Sequence, residues 1–189
     1  MNCKLSDILK SDLKRYGFES ERDIPFITKR EMYGYRFTKS LRKCKYYKAN
    51  RNRFLYLFNR IRLAKMSVKY GFQISYATEI GRGFYIGHMG NVVINSAAKI
   101  GKNVNISQGV TIGIANGGVH SGVPKIGNNV WIGANSVIVG GITVGDDVMI
   151  APNTFVNFDV PAHSVVIGSK AEIHSKENAT EHYIKNTVE

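Results

Sequence analysis

The stretch from Lys125 to Val156, KIGNNVWIGANSVIVGGITVGDDVMIAPNTFV, places an aliphatic residue at every sixth position. A period of six fits neither an α-helix, which repeats about every 3.6 residues, nor a single strand, which alternates about every two. It predicts a solenoid of short strands joined by turns, each of which returns one aliphatic residue to a central core. With two interruptions, after Ile86 and over 113–125, the phase is kept at Ile74, Ile80, Ile86, Ile94, Ile100, Ile106, Ile112, Ile126, Ile132, Ile138, Val144, Ile150 and Val156.

A second set of residues follows the same six-residue period. Four residues after most of the aliphatic positions there is a small or β-branched residue, and glycine follows seven of them directly. A β-sandwich would instead show simple alternation and irregular turn spacing, so the pattern favours the solenoid. The second set is Thr78, Ala98, Val104, Val110, Val130, Ser136, Ile142, Val148, Thr154 and Val160.

The positive charge of the chain is confined to one segment. Residues 29–70 hold 14 Lys and Arg but one acidic residue, whereas residues 71–189 hold seven bases and eight acids. This change in composition places a boundary near Tyr70–Gly71, between a basic N-terminal helical segment (1–70) and a β-helix domain (71–168). The remaining C-terminal tail (169–189) is expected to form a short helix that covers the open end of the solenoid.

The N-terminal segment has helical patterning. In NRFLYLFNRIRLAKMSVKYG, an apolar stripe of Leu55, Phe58, Leu63 and Met66 is expected to face the core, and Gly71 is expected to end the helix.

The expected compartment is the cytoplasm. Cys3 and Cys44 have no metal-binding or redox spacing, which indicates free thiols in a reducing environment. The first residues are charged throughout, and the longest apolar run of the N-terminal segment, Phe54 to Phe58, is far too short to span a bilayer.

The repeat resembles the left-handed β-helix (hexapeptide-repeat) acyltransferases. The stretch IGRGFYIGHMGNVVINSAAKIGKNVNISQGVTIG (80–113) is similar to the serine acetyltransferases, and to the O-acetyltransferases encoded with enzymes of capsular and other surface polysaccharides. The resemblance implies a homotrimer with active sites between neighbouring subunits, acetyl-CoA as the acetyl donor, and no metal.

The resemblance also places His88 at the position of the catalytic histidine. A hydroxyl is a poor nucleophile at neutral pH, and a neutral imidazole can take its proton as the oxygen attacks the thioester. We therefore expect His88 to be the general base, with Gly87, Asn91 and the loop residue His120 lining the acceptor site. The alternative for His88 is an ordinary exposed side chain on a coil.

Several positions depart from the serine acetyltransferase pattern. Gly87 and Gln73 replace aspartates, and Gly122 and Val123 replace the arginine and second histidine of the loop. A zwitterionic amino acid needs charged partners that a neutral sugar hydroxyl does not. The departures favour a sugar of a surface polysaccharide or its precursor as the acceptor, and serine O-acetylation in cysteine biosynthesis remains the alternative.

For the cofactor, the resemblance implies backbone contacts at Gly113 and Ala134, and a basic residue near the phosphates. Lys170 is displaced from that basic position, which Glu172 occupies. By the phase of the repeat Trp131 points outward, towards a subunit contact or the cofactor.

The basic segment and the fold leave further alternatives. Residues 29–70 could form a solvated face or rest on the anionic inner face of the membrane, near a lipid-linked acceptor, and nucleic-acid binding is not expected. On the same fold, a metal-dependent hydratase would need three histidines, and only His88 and His120 are well placed. A third alternative is an assembly scaffold without catalytic activity, which predicts that His88→Ala causes no loss of function.

Overall fold

The computed structural model describes residues 4–168 and begins with four helices. Asn52 caps the last of them by accepting the N–H of Leu55 at 3.0 Å, and this helix ends at Gly71, which takes a φ of 74°. No helix in the described part of the chain is long and apolar enough to cross a bilayer. The helices are α1 (Leu5–Lys14), α2 (Phe26–Glu31), α3 (Tyr33–Ala49) and α4 (Arg53–Tyr70).

Short parallel strands make up the rest of the described chain and form three sheets. The first sheet has the order β1-β4-β7-β10-β13, the second β11-β8-β5-β2, and the third β14-β12-β9-β6-β3. The strands are β1 (Phe72–Ile74), β2 (Glu79–Ile80), β3 (Tyr85–Ile86), β4 (Val92–Ile94), β5 (Lys99–Ile100), β6 (Asn105–Ile106), β7 (Thr111–Gly113), β8 (Lys125–Ile126), β9 (Trp131–Ile132), β10 (Val137–Val139), β11 (Thr143–Val144), β12 (Val148–Ile150), β13 (Phe155–Val156) and β14 (Ser164–Val166).

The period of six is the reason for this architecture, and the predicted β-helix is confirmed. Each strand of a sheet pairs with the strand one coil away, so that Ile86, Ile106, Ile132 and Ile150 stack in one column of the core. Twelve of the thirteen predicted aliphatic positions are buried, and Ile80 is partly buried. Every residue of the second set is buried as well.

The stripe expected on α4 is wrong in part. Leu63 and Met66 are buried as expected, but Phe58 is 58% exposed and Leu55 is only partly buried. The run FLYLF supplies apolar residues to two sides of the helix, and packing against α3 and β1 buries the side that carries Leu63, Met66 and Tyr70. The expected C-terminal helix lies outside the described residues.

Cys44 lies on α3 inside the core and forms no disulfide. Burial raises the pKa of its thiol to about 11, so the group stays protonated and unreactive at neutral pH. Cys3 lies outside the described residues.

The first coil has an open edge, and charged side chains of the helices cap it. Asp12 of α1 accepts the N–H groups of Gly83 and Phe84 at 2.9 and 3.0 Å. Arg42 of α3 pairs with Asp12 at 2.9 Å and donates to the carbonyl oxygens of the turn before Gly83. Asp12 and Arg42 are 0% and 6% exposed, so both charges depend on this network for their partners.

Tyr16 completes the cap on the third sheet. Its hydroxyl donates to the carbonyl oxygen of Ile86 and accepts the N–H of the same residue, both at 3.1 Å. Burial raises the pKa of Tyr16 well above its usual range, which keeps the hydroxyl able to donate. Helix α3 approaches so closely that a Cβ on Gly34 would lie 2.1 Å from the Ile86 carbonyl oxygen.

We predict that Arg42→Met lowers the free energy of unfolding by about 3–5 kcal/mol, because it leaves the Asp12 carboxylate buried without its partner. Urea unfolding followed by circular dichroism measures the change. Lys99→Met is the matched control, since Lys99 and Glu79 form an ion pair at 3.6 Å with side chains 61% and 66% exposed. That control should cost about 0–1 kcal/mol. Equal effects of the two substitutions would contradict the assignment of the cap.

Candidate active site

His88 lies on a two-residue insertion between β3 and β4, where the chain passes from the third sheet to the first. We call the column of such corners the His88 edge. The His88 side chain is exposed, and within residues 4–168 it forms no hydrogen bond or ion pair. Both ring nitrogens are therefore available to a ligand. Gly87 and Asn91, which are also exposed, flank His88 on the same corner.

The end of α4 holds this corner in place. The N–H of Gly90 donates to the carbonyl oxygen of Tyr70 at 3.0 Å, and the N–H of Val92 donates to that of Gly71 at the same distance. Gly90 has a φ of 137°, a conformation that favours glycine, and a Cβ there would lie 3.0 Å from the Cβ of Gln108 on the next coil. The helical segment thus positions the loop that carries His88.

Ala134 lies on the same edge as His88, two coils further along. Its carbonyl oxygen accepts the N–H of Asn153 at 2.8 Å, and its neighbour Asn135 donates to the carbonyl oxygen of Gln108 at 3.0 Å. Ala134 presents only a methyl group to the edge.

Gly113 and His120 lie on a different edge, where the first sheet passes to the second. Residues 114–124 leave the solenoid there as a loop, closed by reciprocal backbone hydrogen bonds between Ala115 and Gly122 at 3.0 and 2.9 Å. The carbonyl oxygen of His120 accepts the N–H of Gly141 on the adjacent coil at 2.8 Å. We call this column the loop edge.

The three sheets of the β-helix form the sides of a triangular prism, and the predicted site residues are divided between two of its edges. Gly87, His88, Asn91 and Ala134 share the His88 edge, and Gly113 and His120 share the loop edge. One chain alone does not bring His88 and His120 together. Lys170 lies outside the described residues.

No carboxylate supports His88 in the described chain. Gln73, in place of an aspartate, is exposed on β1, and Gly87 leaves no side chain beside the imidazole ring. On the loop edge, a Cβ on Gly122 would lie 3.1 Å from the backbone of Gly141, and Val123 is partly buried. These four positions therefore provide no charge that would bind an ammonium or a carboxylate group.

A groove on the outer surface of the third sheet was missed by the sequence analysis. It has a volume of about 600 Å³, and Trp131 lies in it with its side chain facing outward as predicted. Arg15, which directly follows α1, reaches this groove and donates to the carbonyl oxygen of Gly83 at 3.0 Å and to the side chain of Asn105. The Asn-rich turns were visible in the sequence, but nothing there indicated that α1 would bring an arginine beside Trp131.

Comparison with known proteins agrees with this architecture. The family model for the bacterial transferase hexapeptide (six repeats) matches residues 124–157. A serine acetyltransferase of Helicobacter pylori is 40% identical over 107 residues, which cover 57% of this chain and 63% of the relative. WcaB of Escherichia coli K12, provisionally named a colanic acid biosynthesis acetyltransferase, is 40% identical over 104 residues, which cover 55% of this chain and 64% of WcaB.

Solved structures are similar over most of this chain. The serine acetyltransferase of Neisseria gonorrhoeae in complex with serine superposes with a TM-score of 0.69 at 30% identity, and the match covers 89% of this chain and 68% of that one. A serine acetyltransferase in complex with CoA gives a TM-score of 0.67 at 25% identity, with coverage of 87% and 66%.

The chain spans 63% of the length of the first curated relatives that it matches. The similarity to these structures assigns the left-handed form to the β-helix. On this evidence the chain belongs to the hexapeptide-repeat transferase family, among the relatives of the serine acetyltransferases.

Proposed function

We propose that this protein is an O-acetyltransferase that moves the acetyl group of acetyl-CoA to a hydroxyl group. The observation that carries the proposal is His88, an exposed imidazole without a protein partner in the described chain, on a corner between β3 and β4 that backbone hydrogen bonds to the end of α4 hold in place. The acetyltransferase relatives and the CoA complex of a neighbouring structure support the reaction and its donor.

In the proposed mechanism, His88 accepts the proton of the acceptor hydroxyl while the oxygen attacks the thioester carbonyl carbon. Backbone N–H groups of the glycine-rich turns stabilise the tetrahedral oxyanion that forms. The intermediate collapses, the carbon–sulfur bond breaks, and the imidazolium returns its proton to the thiolate of CoA. The products are an acetyl ester and free CoA, and His88 is again neutral.

Two edges of the prism supply the proposed site, so we infer a homotrimer in which the His88 edge of one subunit faces the loop edge of the next. Gly113 and Ala134 would then let the pantetheine arm approach the backbone, and His120 would enter the acceptor site from the neighbouring subunit. Lys170 is retained as a candidate phosphate contact.

The proposed acceptor is a sugar hydroxyl of a surface polysaccharide or its precursor. Support comes from Gln73, Gly87, Gly122 and Val123, which leave the site without the charged groups that a free amino acid requires, and from the similarity to WcaB. The basic segment 29–70 would suit work at the anionic inner face of the membrane, where a lipid-linked saccharide is found. Serine O-acetylation is the second candidate, because most of the relatives reported above are serine acetyltransferases.

We predict that His88→Ala reduces acetyl transfer by about 10²–10⁴-fold, because the general base is lost while the exposed position leaves the fold intact. Thiol release from acetyl-CoA, with glucose, galactose, N-acetylglucosamine and L-serine as probe acceptors, measures the rate. Calorimetric binding of CoA should be unchanged.

His163→Ala is the matched control for this substitution. His163 is also exposed, but it pairs with Asp147 at 2.8 Å at the far end of the solenoid and should not affect the rate. Wild-type rates in His88→Ala would exclude His88 as the base, whereas no thiol release by the wild type with any of the probe acceptors would favour the scaffold alternative.

A further inference from the structure

Helix α4 carries a second apolar face that points away from the core. We call it the α4 outer face, and its members are Phe54, Leu57, Phe58, Ile61 and Val68, which are 51–89% exposed. At about 100° per residue these five side chains fall within an arc of roughly 100°. The arc is opposite the buried side of the helix and extends for about 20 Å along its axis.

Such a face is unusual on a protein surface. Single exposed apolar side chains are common, but a contiguous patch of large ones marks an interaction site. The core does not need these residues, because the other side of α4 already packs on α3 and β1. The patch therefore lacks a partner within the described chain.

The charges around the α4 outer face are of one sign. By their positions on the helix, Arg53 and Arg60 lie along one flank, Arg62 and Lys69 lie along the other, and Lys65 lies within the arc. No acidic residue occurs between Glu31 and Glu79 in the sequence. The surface thus combines an apolar stripe with a cationic border.

We propose that the α4 outer face docks on an anionic lipid bilayer, with its apolar side chains inserted at the level of the head groups and its Lys and Arg side chains contacting lipid phosphates. An interfacial helix has this arrangement of an apolar face flanked by basic residues. The inference rests on one part of the proposed function, the contact of segment 29–70 with the membrane, and it names the surface that makes this contact. The other part, acetyl transfer, can be tested separately.

The charges and the apolar stripe together argue against two other occupants. A second copy of the same face would bring two segments of net charge +13 together, and their repulsion opposes a symmetric contact. A nucleic acid would be attracted by the basic residues but would leave the apolar stripe exposed to water.

Docking of α4 on a membrane would also place the corner that carries His88 close to the bilayer. The last turn of α4 provides the carbonyl oxygen of Tyr70 that holds Gly90, two residues from His88. A helix held on the bilayer would therefore keep the His88 edge near the membrane surface, where a lipid-linked acceptor carries its sugar.

The test is co-sedimentation of the full chain with vesicles. Vesicles of phosphatidylcholine mixed with an equal amount of phosphatidylglycerol should bind the protein, and vesicles of phosphatidylcholine alone should bind it far more weakly. The double variant Phe58→Ser/Ile61→Ser should bind the mixed vesicles at least about tenfold more weakly, because two large apolar side chains no longer leave water. Both positions are exposed, so the fold is retained.

The matched control is Val165→Ser/Ile167→Ser, whose side chains are 62% and 75% exposed at the other end of the solenoid. Its vesicle binding should equal that of the wild type. Equal binding by the Phe58/Ile61 variant, or no binding of the wild type to the mixed vesicles, would overturn the inference.

Two parallel measurements identify any other occupant and separate this inference from the proposed function. If the Phe58/Ile61 variant differs from the wild type in its mass by light scattering but binds vesicles equally well, the occupant of the α4 outer face is a second copy of the chain. If the wild type is retained on immobilised DNA but does not bind the mixed vesicles, the occupant is a nucleic acid. Thiol release from acetyl-CoA in solution reports on acetyl transfer alone, so its failure alongside normal vesicle binding would reject the enzyme and keep the membrane contact.

Discussion

The open edge of the first coil is the constraint on which the rest of the structure depends. A β-helix satisfies its backbone groups by pairing each coil with the next, so the first coil has unpaired N–H and carbonyl groups that would be buried beneath the helices. Asp12, Arg42 and Tyr16 supply the missing partners. Because two of these groups are charged and buried, the cap requires both α1 and α3 to be in place at once.

The same helices connect the cap to the chemistry. Helix α4 packs on α3 through one apolar side, and its C-terminal residues Tyr70 and Gly71 accept hydrogen bonds from the insertion that carries His88. Its other apolar side is the proposed membrane surface. A helical segment that lies outside the solenoid repeat thus orders the first coil, positions the candidate base and carries the proposed docking face.

The solenoid could be predicted in detail because its signal is local and repeated. Equivalent aliphatic residues on adjacent coils, such as Ile106 and Ile132, occupy the same environment in the core. The phase of the repeat therefore follows from many positions, and one atypical residue does not change it. The cap could not be predicted, since Asp12 lies about 70 residues from the N–H groups that it accepts and no periodicity links them. Phe58 was misplaced because α4 has two apolar sides, and only packing against α3 decides between them. The division of the site between two edges was likewise invisible, because it depends on where β3 and β7 fall in the sheets.

The identity of the acetylated product tests the central claim most directly. Purified protein is incubated with acetyl-CoA and an equimolar mixture of L-serine and the probe sugars, as free sugars and as lipid-linked forms, and the products are separated and identified by mass spectrometry. The account predicts an acetyl ester on a sugar hydroxyl and unmodified serine, and predicts that His88→Ala forms neither ester. O-acetylserine as the main product would contradict it and would mean that the site binds an amino acid without the charged residues at positions 73, 87, 122 and 123.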